Sequence, residues 1–373
     1  MKRPVYLHGM AAASAAGSEL DAIAAACITA ATAPGEVRFH SLGGEVVLPY
    51  FRAGDIERAA PDVARQALGH QDGERLGVYV GSSSIGIAQH ERAYAAALAA
   101  GIGANESVYP IHAPDQSRGA RELHAALGAQ GPYYALNTAC SSAANALLYA
   151  AFALRDGTLA EALVVGVEEE NRLSQQGFFS LMLATRTRSR PFDAQRDGIV
   201  LGECAAALHL SATRGAARWQ LLGGASLCDV AHPTNPSVQR IADTMRMALN
   251  DAGVAASEVR AVKAHGTGTR ANDLSEALGL RAVFGDTVPP FTSIKPALGH
   301  TLGACGALET VAFSACLERG WIPATAGFAE PDAELGIAPL TEARPWQGGV
   351  VLLNFFGFGG NNCALVLREL PPC

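Results

Sequence analysis

Cys140 is the residue best suited to nucleophilic chemistry in this chain. Residues 132–136 before it are apolar and aromatic, as in a buried strand, and residues 143–154 after it contain neither Gly nor Pro, as in a buried helix. Cys140 should therefore lie on the first turn of a helix, where free N–H groups and the helix dipole favour a thiolate. The alternative is a core cysteine that acts as a small hydrophobe.

Two histidines in the second half could face the same ligand. His265 begins the stretch His-Gly-Thr-Gly-Thr after a predicted strand, and the glycines allow a tight turn close to a ligand. His300 also lies between a predicted strand and a predicted helix, in a Gly-containing loop. Imidazoles in such places can donate a hydrogen bond or accept a proton. For His265 the alternative is a structural histidine with satisfied hydrogen bonds.

Lys295 is notable because charges are sparse around it. A lysine beside an apolar helix needs a partner, and Glu276 and Glu309 on predicted helices are the candidates. The alternative is a lysine whose stem lies along the surface.

A glycine-rich turn follows the last predicted strand but one, at residues 354–362. No Lys and Ser/Thr follow as a phosphate-binding loop requires, and the dinucleotide-binding pattern is absent in a suitable setting. A turn that aims a backbone N–H at a reacting carbonyl is favoured, with a structural β-turn as the alternative.

Composition restricts the classes of partner and compartment. The chain has 373 residues, 49% hydrophobic and 17% charged, which is typical of a compact globular protein. A net charge of −7 and the lack of a Lys/Arg tract argue against nucleic acid and anionic membrane surfaces as partners. The eight cysteines show no C-x-x-C spacing and no zinc-like array, so we predict a reducing cytoplasm and no metal. The longest apolar run, residues 146–154, is too short to span a bilayer.

Predicted strands and helices alternate along the chain, which indicates an α/β fold with largely buried sheets. We predict a helix over residues 56–68 and a strand over residues 76–80. Residues 35–55 have scattered Gly and Pro and are interpreted as a loop, and residues 174–202 as a polar, loop-rich interval. The alternation restarts near residue 215 with no Pro- or Ser-rich linker, so we predict two similar halves, 1–214 and 215–373, that share one core.

In combination these segments resemble the β-ketoacyl–acyl carrier protein synthase family of the thiolase superfamily, in particular its elongating members and the type II polyketide ketosynthases. Five segments occur in the family's order and cover most of the chain from about residue 130 onward; the first 120 residues match less well. The matching segments are residues 138–142, residues 190–193 with 196–198, residues 265–269, residues 295–304 and residues 354–360.

The resemblance implies a five-layered α-β-α-β-α fold made of two similar halves, and a dimer. By position, Cys140 is the acyl-accepting nucleophile. His265 and His300 are the pair that promotes decarboxylation of the malonyl unit and stabilises the enolate oxygen. The expected activity is therefore decarboxylative condensation in fatty-acid or polyketide chain elongation.

The resemblance also assigns supporting roles. Lys295 and Glu276 are expected to support the histidines, and Asp273 to position loops. Phe356 is expected to be the gate residue whose N–H forms an oxyanion hole with that of Cys140. No metal, nucleotide or flavin is required, because the prosthetic group belongs to the acyl carrier protein.

Partners follow from the same resemblance. Arg186, Arg188 and Arg190 are candidates for a basic patch that meets an acidic carrier protein, although an exposed solvated loop explains them almost as well. The dimer could be a homodimer or a heterodimer with a chain-length-factor-like subunit.

Departures from the family pattern favour specialised synthases, such as those of aryl polyene or other type II polyketide pathways. The chain looks short before residue 120, Cys305 stands where Ala is usual, and residues 361–362 are Asn-Asn where Thr-Asn is commoner.

Three rival functions stay open at this point. A thiolase would need a second active cysteine, for which Cys363 in a predicted strand is a poor candidate. A silent chain-length-factor-type subunit would have no need of Cys140, His265 and His300 together. A plain carrier-protein-binding module would use only the arginine loop.

Overall fold

The computed structural model describes residues 3–69, 75–101, 116–230, 232 and 236–371. The helices are α1 (Leu20–Thr29), α2 (Ile56–Leu68), α3 (Ile87–Ala99), α4 (Gln116–Ala126), α5 (Ser142–Arg155), α6 (Arg172–Ser180), α7 (Val238–Ala252), α8 (Arg270–Phe284), α9 (Lys295–Leu298) and α10 (Cys305–Glu318). The strands are β1 (Tyr6–Ala13), β2 (Gly35–Ser41), β3 (Gly44–Phe51), β4 (Leu76–Gly81), β5 (Tyr133–Leu136), β6 (Glu161–Glu168), β7 (Leu201–Gly202), β8 (Cys204–Ser211), β9 (Trp219–Cys228), β10 (Val259–Lys263), β11 (Phe291–Thr292), β12 (Trp321–Ile322), β13 (Arg344–Pro345), β14 (Val350–Phe356) and β15 (Asn361–Glu369).

Ten of these strands are hydrogen-bonded in one series, β11-β10-β14-β15-β9-β1-β8-β6-β4-β5. From the centre outward, β1-β8-β6-β4-β5 and β9-β15-β14-β10-β11 repeat the same order and the same strand directions. Among the described strands, the two sets pair with each other only where Tyr6 and Leu7 of β1 meet Gln220 and Trp219 of β9. The predicted boundary near residue 214 falls in the connection between β8 and β9.

The helices lie in three layers around these strands. Helices α5 and α10 pack against each other and against strands of both sets, so they form the central layer. Helices α2 and α4 cover the outer face of the N-terminal set, while α7 covers the C-terminal set with α8 packed beside it. Small residues bring α5 and α10 together: a Cβ on Gly306 would lie 2.1 Å from the backbone nitrogen of Ala144.

The two middle helices are largely buried because their sequences are largely apolar. Every residue of α10 from Cys305 to Leu317 is buried, as are ten residues of α5. The helix at Ile56–Leu68 and the strand beginning at Leu76 occur where the sequence predicts them. None of the described helices combines the length and apolar character that a membrane crossing requires.

The loop predicted over residues 35–55 is wrong, because the chain forms an antiparallel hairpin there, β2 with β3. Its strands alternate in period two and bury Val37, Phe39, Val46 and Leu48. The interval 174–202 is likewise not all loop, since α6 extends into it and β7 lies at its end. Val37 and Phe39 share a small core with Leu201 of β7, so long-range packing stabilises these short elements.

The expectation that strand β5 is buried is wrong, because three of its four residues are exposed and Leu136 is half-buried. It lies at the end of the series and pairs only with β4 among the described strands. Tyr133 and Tyr134 are 38% and 50% exposed, and Tyr149 and Phe152 on the neighbouring helix α5 are exposed as well. The result is an apolar, aromatic surface beside a free strand edge.

Candidate active site

Cys140 lies in the turn between β5 and α5. Ala139 has a positive φ of 52°, which directs the chain sharply into the helix. The turn is closed by the Ser141 hydroxyl, which donates to the Thr138 carbonyl at 2.8 Å, and by the Thr138 N–H, which donates to the Ser142 hydroxyl at 2.9 Å. Cys140 itself is only 5% exposed and lines a cavity at the start of the helix.

His265 follows β10 and is held on three sides. Glu276 accepts from the backbone N–H groups of His265 and Gly266, each at 2.8 Å. Lys295 Nζ donates to the His265 carbonyl at 2.7 Å and faces His265 Nδ1 at 3.3 Å. Because an ammonium group can only donate, Nδ1 accepts and the ring proton resides on Nε2. His265 therefore presents a donor to the cavity.

His300 faces the same cavity. Its ring centroid is 5.4 Å from that of His265, and the two rings are nearly perpendicular, at 85°. The backbone N–H of His300 donates to the Val200 carbonyl at 2.8 Å, and its carbonyl accepts from Gly202 at 3.1 Å. Among the described residues, His300 Nδ1 has no hydrogen-bond partner.

The two candidate partners of Lys295 have different roles. Lys295 is paired with Glu309, at 2.6 Å, whereas Glu276 binds the backbone at His265. Asp273 accepts from the N–H groups of Phe192, at 2.7 Å, and of Thr267, at 3.0 Å. Asp273 thus joins the loop after β10 to the segment around Phe192.

Burial makes both imidazoles neutral. It lowers the pKa of His265 and of His300 well below the ordinary range, and the nearby Lys295 and Lys263 ammonium groups lower them further. Neutral rings can serve as hydrogen-bond donors through one nitrogen and as proton acceptors through the other.

Cys140 was expected to have a lowered pKa, and this expectation is wrong. Burial raises the pKa of the Cys140 thiol to about 11, although the Phe358 N–H and the Lys295 charge oppose the rise. Loss of water at the closed site outweighs the position at a helix N-terminus. The resting residue is a thiol, which must lose its proton as it reacts.

The backbone N–H that was expected from Phe356 is supplied by another residue of the same turn. Strand β14 continues through Phe356, whose ring lies 6.0 Å from the ring of His265. The backbone N–H that reaches the Cys140 sulfur belongs to Phe358, two residues on, beyond the end of the strand. The alternation of Phe and Gly in the sequence did not indicate at which residue the strand ends, and hence which backbone N–H is free to face Cys140.

Phe358 is part of the wall of the cavity. Its ring stacks on that of Phe178 from helix α6, with centroids 5.4 Å apart. The same cavity is lined by Cys140, His265, His300, Phe356, Thr267 and Thr269. Sequence reasoning missed Phe178, because α6 lay in an interval interpreted as loop.

Two other cysteines are excluded as nucleophiles by their position. Cys363 is fully buried in β15, and burial raises its pKa. Cys305 is fully buried at the start of α10, where its thiol donates to the Cys140 carbonyl at 2.9 Å. The second active cysteine of a thiolase is therefore not found at Cys363. Among the described residues, no group of His, Cys, Asp or Glu side chains could hold a metal ion.

The three arginines of the predicted carrier-protein patch are not equivalent. Arg186 and Arg188 are exposed, and the Arg186 guanidinium lies 5.3 Å above the ring of Phe179 on α6. Arg190 is half-buried and donates to Gln195 at 3.3 Å. Only the first two are presented freely, near the helix that carries Phe178.

The raised pKa of the Cys140 thiol predicts slow alkylation at neutral pH. Below that pKa the thiolate fraction rises about tenfold per pH unit, so the rate of carboxamidomethylation at Cys140 should rise steadily up to about pH 10. Peptide mass spectrometry of iodoacetamide-treated protein measures it, with exposed Cys228 as the internal control. A rate at Cys140 that is already constant between about pH 6 and about pH 8 would contradict the burial argument.

Comparison with known proteins shows similarity to β-ketoacyl synthases over most of the chain. Residues 60–216 match the β-ketoacyl synthase N-terminal domain, and residues 222–329 match the β-ketoacyl synthase C-terminal domain. Nodulation protein E of Rhizobium meliloti is 32% identical over 327 residues, which are 84% of this chain and 80% of that protein. The tetracenomycin polyketide synthase ketoacyl synthase alpha subunit of Streptomyces glaucescens is 32% identical over 322 residues, 79% of this chain and 75% of that protein.

Among solved structures, the ishigamide ketosynthase/chain length factor superposes with a TM-score of 0.90 and 27% identity over 100% of both chains. Together with the central α5/α10 layer between the two sets of strands, this likeness identifies the fold as the thiolase-like α-β-α-β-α arrangement. The chain belongs to the β-ketoacyl synthase family and is an acyl-condensing ketosynthase.

Proposed function

We propose that Cys140 accepts an acyl chain from a carrier-protein thioester and that the chain then catalyses decarboxylative Claisen condensation with a malonyl–carrier protein. The observation that carries this proposal is one cavity lined by the Cys140 thiol and two neutral imidazoles, with the Phe358 N–H directed at the thiol. His265 and His300 are the catalytic pair, and Lys295, Glu276 and Asp273 hold them and their loops.

In the first half-reaction the Cys140 sulfur attacks the acyl thioester. The thiol proton passes to a neutral imidazole of the pair, since the raised pKa of the thiol requires a base. The carbon–sulfur bond to the carrier breaks, and the departing carrier thiolate takes up the proton. The thioester oxygen, negative in the tetrahedral intermediate, faces the N–H groups of Cys140 and Phe358.

In the second half-reaction the malonyl carboxylate leaves as CO₂. The electron pair of the broken C–C bond moves into the malonyl thioester carbonyl, and the enolate oxygen accepts hydrogen bonds from the imidazoles, His265 donating through Nε2. The carbanion attacks the carbonyl carbon of acyl-Cys140. Collapse expels the Cys140 sulfur as a thiolate and leaves the extended β-ketoacyl group on the carrier. The thiolate then takes up one proton from solvent, which restores the resting thiol.

The acyl carrier protein is the proposed substrate-bearing partner, and the reaction needs no cofactor of the chain's own. Arg186 and Arg188 could meet the acidic surface of a carrier, because they are exposed close to α6, whose Phe178 lines the cavity. The name of one relative, the tetracenomycin ketoacyl synthase alpha subunit, supports a polyketide pathway for the condensation.

A second subunit is the other proposed partner. The free edge of β5 and the exposed rings of Tyr134, Tyr149 and Phe152 form an apolar surface of the kind that subunit interfaces cover. Either a second copy or a chain-length-factor-like subunit could pair with this edge. The solved ishigamide structure is named as a ketosynthase with a chain length factor, which supports the heterodimer for this chain.

The proposal predicts a covalent acyl-enzyme. Purified protein incubated with an acyl–carrier protein should gain the mass of one acyl group, and the Cys140→Ala variant should gain none. Intact-protein mass spectrometry measures the gain, and Cys228→Ser is the matched control because Cys228 is exposed outside the cavity. Absence of any acyl gain, even with a co-purified partner subunit, would contradict the proposal.

A further inference from the structure

The chain uses lysine sparingly. It contains three lysines among 28 basic residues, and two of them, Lys263 and Lys295, are buried behind the histidine pair. Their exposed fractions are 0% and 2%. A lysine is a compact cation whose three N–H groups can point in different directions, so one Nζ can bond to several partners at once.

Lys263 is fully bonded although it contacts neither the cavity nor Cys140. Its Nζ donates to Glu309 Oε2 at 2.5 Å and to the Asn354 carbonyl at 2.6 Å. The ammonium also lies 3.7 Å from the centroid of the Phe355 ring, in a cation–π contact. Lys263 thus links β10, two residues before His265, to helix α10 and strand β14.

These contacts belong to a closed circuit of hydrogen bonds that passes through the backbone of His265. Glu309 holds Lys263 with one oxygen and Lys295 with the other, and Lys295 donates to the His265 carbonyl. On the other side, Glu276 binds the His265 N–H and accepts from the Asn354 side chain at 3.1 Å. The Asn354 carbonyl returns to Lys263.

We propose that Lys263 is a positioning residue of the condensation site, which locks His265 to the end of β14 and hence to the turn that carries Phe358. This inference rests on the proposed function, since it concerns the same histidine pair. Lys263 acts through its neighbours, because it touches none of the groups that would react.

The charges around the imidazoles determine the pKa of both rings, so removal of Lys263 should change the pH dependence of the reaction. Lys263 faces them from β10, Lys295 from α9, Glu276 and Asp273 from α8, and Glu309 and the Cys305 thiol from α10. Glu168, at the end of β6, binds the Gly303 N–H close to His300, and Cys140 faces the rings across the cavity. These buried carboxylates outnumber the two ammonium groups, so removal of Lys263 increases the excess of negative charge.

That excess raises the pKa of both imidazoles, since it stabilises their protonated forms. As the pH is lowered, the rings of the variant become protonated at a higher pH than those of the wild type. A reaction that needs neutral rings therefore slows at a higher pH in the variant. A purely structural role for Lys263 would lower the amount of folded protein and leave the pH profile unchanged.

The test uses Lys263→Met and Lys263→Gln in the full chain, with any partner subunit that wild type requires. We expect acylation of Cys140 within about threefold of wild type, and CO₂ release from malonyl–carrier protein lowered about ten- to hundredfold near neutral pH. We also expect the acid limb of the CO₂-release profile to move upward by about one pH unit. Intact mass and release of labelled CO₂ measure the two steps separately.

Val262→Ala is the matched control. Val262 is the adjacent residue of β10 and packs with Ala264 and Phe291 in a hydrophobic cluster. It should lower stability without moving the pH profile. The inference would be overturned if the Lys263 variants fold, release CO₂ at the wild-type rate and keep the wild-type pH profile. It would also be overturned if neither variant reaches a native circular dichroism spectrum. Wild-type protein with neither acylation nor CO₂ release would overturn the proposed function, and this inference with it.

Discussion

Replacement of His265 by alanine is expected to lower CO₂ release from malonyl–carrier protein by about 10³-fold and acylation of Cys140 by much less. The Nε2–H of His265 is fixed by Lys295 on the opposite ring nitrogen, so the donor is aimed at the cavity before substrate enters. Its loss removes one of the two imidazole donors proposed for the enolate oxygen, and the only one of the two whose orientation a partner on the other ring nitrogen fixes among the described residues. Release of labelled CO₂ and intact mass together separate the two half-reactions.

His265→Gln is the informative second variant, since its amide N–H can reach near the position of Nε2. It should recover part of the CO₂ release if His265 acts as a donor, and none if it acts as a base. His40→Ala, on the exposed strand β2, is the control and should match wild type. Equal losses of acylation and decarboxylation in His265→Ala would contradict the division of labour proposed for the pair.

Glu309→Gln is expected to have the largest effect on stability. Glu309 is 1% exposed and is the carboxylate that pairs with both Lys263 and Lys295. Its neutralisation leaves two buried ammonium groups without a counter-charge, which we expect to lower the free energy of unfolding by about 3–5 kcal/mol. Removal of the Glu309 charge, which raises the pKa of both lysines in the wild type, lowers those pKa values. The loss should therefore shrink as the pH rises and the buried lysines release their protons.

Urea denaturation at two pH values measures this effect. Glu342→Gln, an exposed glutamate outside any helix or strand, is the control and should change the free energy of unfolding by less than about 0.5 kcal/mol. A loss in Glu309→Gln below about 1 kcal/mol, or one that grows with pH, would show that the lysines find other counter-charges.

The parts of the site that the sequence predicted are those set by local chain geometry. Cys140 was found because a strand, a tight turn and a helix follow one another within a few residues. His265 was predicted because it follows a strand in a glycine-containing loop. His300 was predicted because it lies in a glycine-containing loop before a helix, although the short helix α9 stands between β11 and this loop. Helix α2, from Ile56 to Leu68, was predicted with its bounds because its apolar face repeats at helical spacing.

The parts that were missed depend on contacts between distant segments. Lys263 carries no local mark of function, and its importance comes from Glu309 and Asn354, 46 and 91 residues away. The amide of Phe358 was missed because the end of β14 is set by its pairing with β15. The raised pKa of Cys140 comes from burial by the C-terminal strands and loops, which no inspection of residues 137–143 can show.

The glycine contact between α5 and α10 couples reactivity to the integrity of the whole chain. Gly306 lets α10 lie against Ala144, four residues from Cys140, and α10 also carries Glu309, which holds the lysines behind His265. The nucleophile and its hydrogen-bond donors therefore come from segments that this helix pair holds together at the centre of the molecule. A molecule in which the two helices have separated would keep a cysteine that reagents can alkylate faster than in the native state, yet would make no carbon–carbon bond. Alkylation without condensation is thus the chemical signature of a partly unfolded molecule.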